Sequence, residues 1–318
     1  MPQREGSFTG PERATLADVD ALNRLFSEAF TDRYHRDGMT GVRVPFLSRE
    51  AWRFAIEDAG EGAMLWRDAD GHPAAFNVAH VSGSEGWMGP LAVRPALQGL
   101  GLGRRIVRTG LSWLQARGAT LIGLETMPRT VENIGFYGTL GFRPAHLTLT
   151  MQADFGHTRP PEAAERFSSA GPERMARLAE LAGLTTSLWP GVDYSREIAL
   201  TADLAMGDTA IVRDGGRVRG FGLWHATPLA QGRGSDEVRV LKLVAEDLEA
   251  VNQVLGAVAE HSRPGPDRLS LRCQAAYGDL FAMLLRDGYL VQWTDLRMLL
   301  GETAERPSRG IVLSNWEI

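Results

Sequence analysis

At 318 residues the chain is long for one domain, so two units of about 150 residues each are the first expectation. Apolar residues at 44% with 23% charged give the balance of an ordinary globular protein, and no run of eighteen apolar residues offers a transmembrane span. A formal charge of −5 excludes a general attraction to nucleic acid or to an anionic membrane, so any anion site must be local. The single cysteine, Cys273, excludes an intrachain disulfide; its alternating surroundings, Leu269 to Gln274, read as a strand with a small core thiol.

The first thirteen residues lack the apolar core of a signal peptide, which together with the unpaired cysteine points to the cytoplasm. Residues 15–30 then place Leu16, Val19, Leu22, Leu25, Phe26 and Phe30 on one helical stripe, with Thr15 or Asp18 as cap. A polar and aromatic stretch over 31–47 carries Asp32, His35 and Asp37. Ser48 caps a second helix through Trp52, Phe54 and Ile56. Met64–Arg67 and Ala74–Val81 read as strands joined by a turn at Asp68–Gly71.

The most informative stretch follows. Glu85–Val93 is an apolar strand that ends at Pro95 and runs into Gln98-Gly-Leu-Gly101-Leu-Gly103, after which Ile106, Val107, Leu111 and Leu114 recur at helical spacing. Glycines at 99, 101 and 103 free the backbone to bend and expose its N–H groups at a helix N-terminus, a site for phosphate. A dinucleotide fingerprint would need glycine where Arg104 or Ile106 stands, and a nucleotide-triphosphate loop needs a lysine, whereas Lys242 is the only one in the chain. Arg94, Arg104 and Arg105 can face an anion, while Arg108 belongs to the solvated face.

Gln98-x-x-Gly101-x-Gly103, together with the later Asn133-Ile-Gly-Phe136-Tyr137-Gly-Thr-Leu140-Gly141-Phe142, resembles the GCN5-related N-acetyltransferases. Strand 120–126, helix 131–140 and strand 145–151 follow in that family's order. The resemblance implies that Leu91, Ala92 and Val93 pair through their main chain with the pantetheine arm of acetyl-CoA. It also implies that Gln98, Gly99, Leu100, Gly101, Leu102, Gly103, Arg104 and Arg105 hold the diphosphate, and that Asn133 touches the amide arm. Tyr137 matches the family tyrosine that protonates the leaving thiolate. Glu125, twelve residues earlier at the close of an apolar strand, should have its pKa raised by desolvation and could take the amine's proton. It could equally be a structural acceptor; Glu85 and His80 stand in reserve as bases, and Thr130 reads as a helix cap. No metal site is expected.

Residues 153–172 read as a connector rich in Pro, Ala, Ser and charge. Beyond it the order repeats: helices near 174–183 and 196–206, a hairpin over 210–225, a strand at 237–244, a helix at 248–260, a strand at 269–273, a helix at 277–286 and a strand at 290–300. Glu246-Asp-Leu-Glu249 replaces the glycine turn and Leu284 falls opposite Tyr137, so this copy should bind no coenzyme A. His225, Trp224 and Trp293 read as packing residues that could instead line an acceptor pocket. The tail from Ile311 should close a sheet edge, of the second unit or by exchange of the first.

The expected architecture is α/β, with two tandem units, each a mixed, mostly antiparallel sheet flanked by helices: 1–152 competent, 153–172 linking, 173–318 degenerate. The expected function is transfer of an acetyl group from acetyl-CoA to a small-molecule or peptide amine by direct attack in a ternary complex, by a monomer or homodimer. The alternative is a non-catalytic acyl-CoA sensor. Asp32, Asp37, Glu57 and Asp58 lie where they could draw a cationic amine.

Overall fold

In the computed structural model, which describes residues 8–155, 164–301 and 309–316, the helical stripe read from the first apolar run forms α1 (Val19–Arg36). It buries Val19, Leu22, Leu25, Phe26 and Ala29, and it runs six residues beyond its expected end. Asp18 spends its carboxylate on the Thr15 amide and hydroxyl, both at 2.9 Å, so α1 has no side-chain cap. Ser48 does cap α2 (Arg49–Ala59), accepting from the Ala51 amide at 3.1 Å.

The strands β1 (Thr9–Arg13), β2 (Ala63–Arg67), β3 (Pro73–Ser82) and β4 (Glu85–Val93) form an antiparallel run. After α3 (Leu102–Ala116), β5 (Leu121–Thr126) joins β4 in parallel, and α4 (Val131–Gly138) leads to β6 (Phe142–Asp154). β1 escapes a sequence reading because all five of its residues are exposed and none carries an apolar signal. The second half repeats the order. It comprises β7 (Glu165–Arg166), α5 (Arg174–Leu188), α6 (Ser195–Asp203), β8 (Gly207–Asp214), β9 (Arg217–His225), β10 (Val238–Ala245), α7 (Leu248–His261), β11 (Arg268–Gln274), α8 (Gly278–Arg286), β12 (Leu290–Leu300) and β13 (Ile311–Ser314).

These strands make one continuous sheet in the order β1-β2-β3-β4-β5-β12-β6-β11-β10-β9-β8-β7, with β13 also on β10. The two halves exchange a strand. β12 lies between β5 and β6, with Arg297 opposite Glu125, and β6 lies between β12 and β11, with Met151 opposite Leu271. The expected cut at 152/173 therefore does not separate two sheets. β6 continues to Asp154, and the connector contains β7 and a 3₁₀ turn over Phe167–Glu173; its residues 156–163 lie outside the described part, as do residues 1–7.

Exchange does close the first unit, but through β12. The tail instead pairs with the second unit's own β10, Ser314 opposite Lys242 and Ile311 opposite Ala245. Parallel pairing of β10 with β11 stops at Val240 and Leu271, so β13 fills the gap where those strands part. Glu317 and Ile318 are outside the described residues.

Polar groups are concentrated in the seam between the halves. Glu85 accepts from Ser314 (2.8 Å), Trp316 (2.9 Å) and Tyr194 (3.3 Å), and Lys242 donates to the Ser314 hydroxyl (3.0 Å) and the Asn315 carbonyl (3.1 Å). His80 pairs with Asp58, which Arg196 also reaches at 3.0 Å, and Ser82 donates to Glu197. Asp58 is thus a seam residue and not an acidic wall for an acceptor. His225 is buried and Trp224 packs in the core, whereas Trp293 is 41% exposed and sits 6.5 Å from Tyr34.

Burial and the neighbouring Asp58 push the Glu197 carboxyl up to about 7, above its ordinary 4.5. The folded protein therefore holds a proton there that the unfolded chain releases, and stability falls as pH rises from about 4.5 to about 7. Glu197→Gln should remove that decline and melt higher than the parent at pH 8, with little difference at pH 4.5; thermal unfolding across this range checks it.

Candidate active site

β4 stays with β5 only from Glu85 to Met88. Pro90 has no N–H to extend a ladder, and the register against β3 slips between the pairs Asn77–Leu91 and Ala79–Met88. Leu91, Ala92 and Val93 remain bonded to β3, and no strand among the described residues pairs with their other edge. That edge forms one wall of a cleft of about 400 Å³. Gln98, Gly99, Gly101, Gly103 and Arg104 form its mouth, Ala29, Phe30, Arg33 and Arg36 of α1 a second wall, and Glu132, Asn133, Phe136 and Tyr137 of α4 a third.

Gly99 (φ +80°) and Gly101 (φ +84°) are left-handed with open space beside them. Gly101 is the N-cap of α3, no side chain caps that helix, and Gly101, Gly103 and Arg104 of its first turn line the cleft. This is the cradle the glycine spacing implies for a diphosphate. The free β4 edge is likewise what an amide-bearing arm needs, so the residues present fit coenzyme A.

Other expected contacts fall differently. Leu100 is exposed and Leu102 is in the core, and neither lines the cleft. Arg104 lines the cleft, but Arg105 turns away, donating to the carbonyls of Phe8 and Gly10 at 3.2 Å each, at the start of the β1 segment that the sequence does not signal. Arg94 is taken by Asp68 at 2.9 Å. Asn133 lines the cleft, with Nδ2 at 3.4 Å from Thr126 Oγ1. Thr130 does not cap α4; its hydroxyl donates to Asp37 at 2.6 Å, and Asp37 also holds Arg33 at 2.6 Å. Arg33 and Arg36 lie beyond residue 30, where the apolar stripe read from the sequence ends. Their spacing from Phe30 and Ala29 continues the same helical face, which was the available signal.

Tyr137 is 6% exposed, its ring edge-on to Phe142 at 6.0 Å. Burial pushes its hydroxyl well above the ordinary tyrosine range, so it keeps its proton at any physiological pH, as a proton donor must. Glu125 lies in a setting opposite to the one its strand suggests. Burial alone would raise its pKa, but Arg272 and Arg297 outweigh burial and hold it below the usual carboxylate value. Oε2 accepts from Arg272 at 2.7 Å; Oε1 accepts from Arg297 at 3.0 Å and Thr148 at 2.6 Å. A low-pKa carboxylate with both oxygens engaged is a structural acceptor and a poor base. Glu85 and His80 lie in the seam and not on the cleft. Cys273 is fully buried, its thiol pushed up to about 12 by burial.

The equivalent place in the second half is built differently. β13 covers the free edge of β10, Asp247 caps α7 by accepting from the Ala250 amide at 2.8 Å, and Leu284 is core. Elsewhere, Asp68, Asp70 and His72 bring metal-type ligand atoms within 4.8 Å of one another at an exposed turn, yet Asp68 is committed to Arg94 and to the turn amides. No helix among the described residues is long and apolar enough to cross a membrane.

Comparison with known proteins agrees with this geometry. Residues 19–142 match the family model described as Acetyltransferase (GNAT) family. The chain is 32% identical over 136 residues to serotonin N-acetyltransferase 2, chloroplastic, of Oryza sativa subsp. japonica, covering 42% of this chain and 61% of that one. It is 33% identical over 137 residues to the mycothiol acetyltransferase of Acidothermus cellulolyticus, covering 40% and 42%. The chain thus spans about three fifths and two fifths of these relatives. Among solved structures, a protein from Pyrococcus horikoshii superposes with a TM-score of 0.69 at 15% identity, over 98% of this chain and 95% of that one. A tandem GNAT protein from the clavulanic acid biosynthesis pathway gives 0.56 at 11%, over 93% and 99%. Both show the same doubled fold.

Replacing Glu125 by Gln should cost about 3 to 5 kcal/mol, because it removes the carboxylate that Arg272 and Arg297 share and leaves Asp295, 2.9 Å from Arg272, to offset a buried cluster of excess positive charge. Since the folded-state pKa is depressed, the parent draws stability from this group above about pH 4.5 and loses it as pH falls; Glu125→Gln should flatten that acid limb in denaturant titrations.

Proposed function

We propose that the chain, whose residues 19–142 match the GNAT acetyltransferase family model, transfers an acetyl group from acetyl-CoA to a primary amine by direct attack in a ternary complex. The observation that carries the reading is the convergence on one cleft of three separate features: the free edge of Leu91–Val93, the amides at the start of α3, and the buried hydroxyl of Tyr137.

Acetyl-CoA supplies an activated acyl thioester. The main chain of Leu91 and Val93 would hold its arm as a neighbouring strand is held, and the glycine turn with Arg104 would hold its diphosphate. Tyr137 keeps a proton available for the departing thiolate, a transfer worth roughly a hundred- to ten-thousandfold in rate. Among the described residues Glu132 is the only carboxylate lining the cleft, and Arg33 occupies it at 2.6 Å. With Glu125 also engaged, the amine's proton leaves to water, and the rate follows the fraction of neutral amine. The acceptor is a small-molecule or peptide amine. The open edge in one half and the covered edge in the other support a single coenzyme A per chain.

Two measurements test this. Tyr137→Phe should retain coenzyme A binding and lose about a hundredfold in thiol release across an amine panel; full activity in the variant would remove Tyr137 from its role, and tight binding by the parent without turnover on any amine would leave a binding module. Calorimetry should give a stoichiometry of one per chain, and a value of two would mean that β13 does not close the second half.

A further inference from the structure

The mouth of the cleft is bridged by a side-chain chain that the glycine motif does not account for. Arg36, in the last turn of α1, donates through Nη2 to Gln98 Oε1 at 2.5 Å, across 62 residues of sequence. Gln98 in turn donates through Nε2 to the Val93 carbonyl at 3.1 Å. That carbonyl belongs to the very edge on which the amide arm of the cofactor is expected to lie. Both Arg36 and Gln98 line the cleft.

The three cleft arginines are committed to different degrees. Arg33 is 13% exposed and holds two carboxylates, Asp37 and Glu132, at 2.6 Å each. Arg104 reaches Thr139 at 3.3 Å. Arg36 is 42% exposed, and apart from the equally open Asp32 its partner is a neutral amide. A guanidinium gains more from a phosphate oxygen than from an amide oxygen, because the pairing is charge-assisted and can be two-pronged.

We propose that Arg36 is a diphosphate ligand supplied by α1 from the wall opposite the glycine turn, and that it couples the two ends of the cofactor. This rests on the acyl-CoA reading of the cleft. When Arg36 exchanges Gln98 for a phosphate oxygen, it releases the amide that occupies Val93, and the main-chain carbonyl becomes free to accept from the arm. Diphosphate capture at the mouth thereby opens the edge further in. No covalent step is involved: hydrogen bonds and one ion pair are exchanged.

The test compares coenzyme A with pantetheine, which has the arm and lacks the phosphates, on parent and Arg36→Gln by calorimetry at two salt concentrations, with melting temperatures as a check on folding. The variant should bind coenzyme A at least about tenfold more weakly and with a shallower salt dependence, while pantetheine binds as well or better. Arg36→Lys should recover part of the loss. Unchanged coenzyme A affinity in Arg36→Gln, or equal weakening of both ligands, would overturn the proposal. Failure of the parent itself to bind coenzyme A would instead remove the reading of the cleft on which it rests.

Discussion

The exchange of β6 and β12, pinned by a buried ion cluster, is the constraint on which the rest of the molecule depends. Glu125 on β5 stands in register with Arg297 on β12, and Arg272 on β11 reaches the same carboxylate from two strands further along. Charges taken out of water at this cost are tolerated only when each is matched, so the cluster selects one register among those the apolar residues alone would allow. It also makes the halves inseparable. The strand that completes the first unit comes from the second, and the reverse holds for β6.

Two copies of one architecture have thus become unlike at the same point. Where β4 parts from β5, the edge of Leu91–Val93 stays open; where β10 parts from β11, β13 enters and pairs from Lys242 to Ala245. The same tail continues to Trp316, whose indole donates to Glu85 and lies against Gly123, with the Arg297 guanidinium 3.8 Å above its ring. The segment that fills the second gap therefore also packs beneath the first unit's sheet, where an added Cβ at Gly123 would strike it at 2.4 Å.

The electrostatics of the cleft follow from this division of labour. Cations that look equivalent along the chain are sorted by what packs beside them: Arg94 to Asp68, Arg105 to the carbonyls of Phe8 and Gly10, Arg33 to a pair of carboxylates, and Arg36 to an open carboxylate, Asp32, and a neutral amide. Tyr137 keeps its proton because burial beside Phe136 and Phe142 disfavours a phenolate, although its residue still lines the cleft.

By itself the sequence determined what depends on neighbours along the chain. The elements, the repeat of their order, the glycine turn at the head of α3, Ser48 as a cap and Cys273 as core all rest on spacing within a few residues, where hydrogen bonding and periodicity act locally. Only the tertiary structure decided which partner each charged group meets. Glu125 looked like a base because a carboxylate ending an apolar strand is desolvated; the arginines that reverse the sign of its pKa shift lie 147 and 172 positions away. β1 carried no local signal, and so the loss of Arg105 to it could not be read. The exchange of β6 and β12 was invisible for the same reason, since each strand's pattern fits either sheet and only the register of distant charges chooses between them.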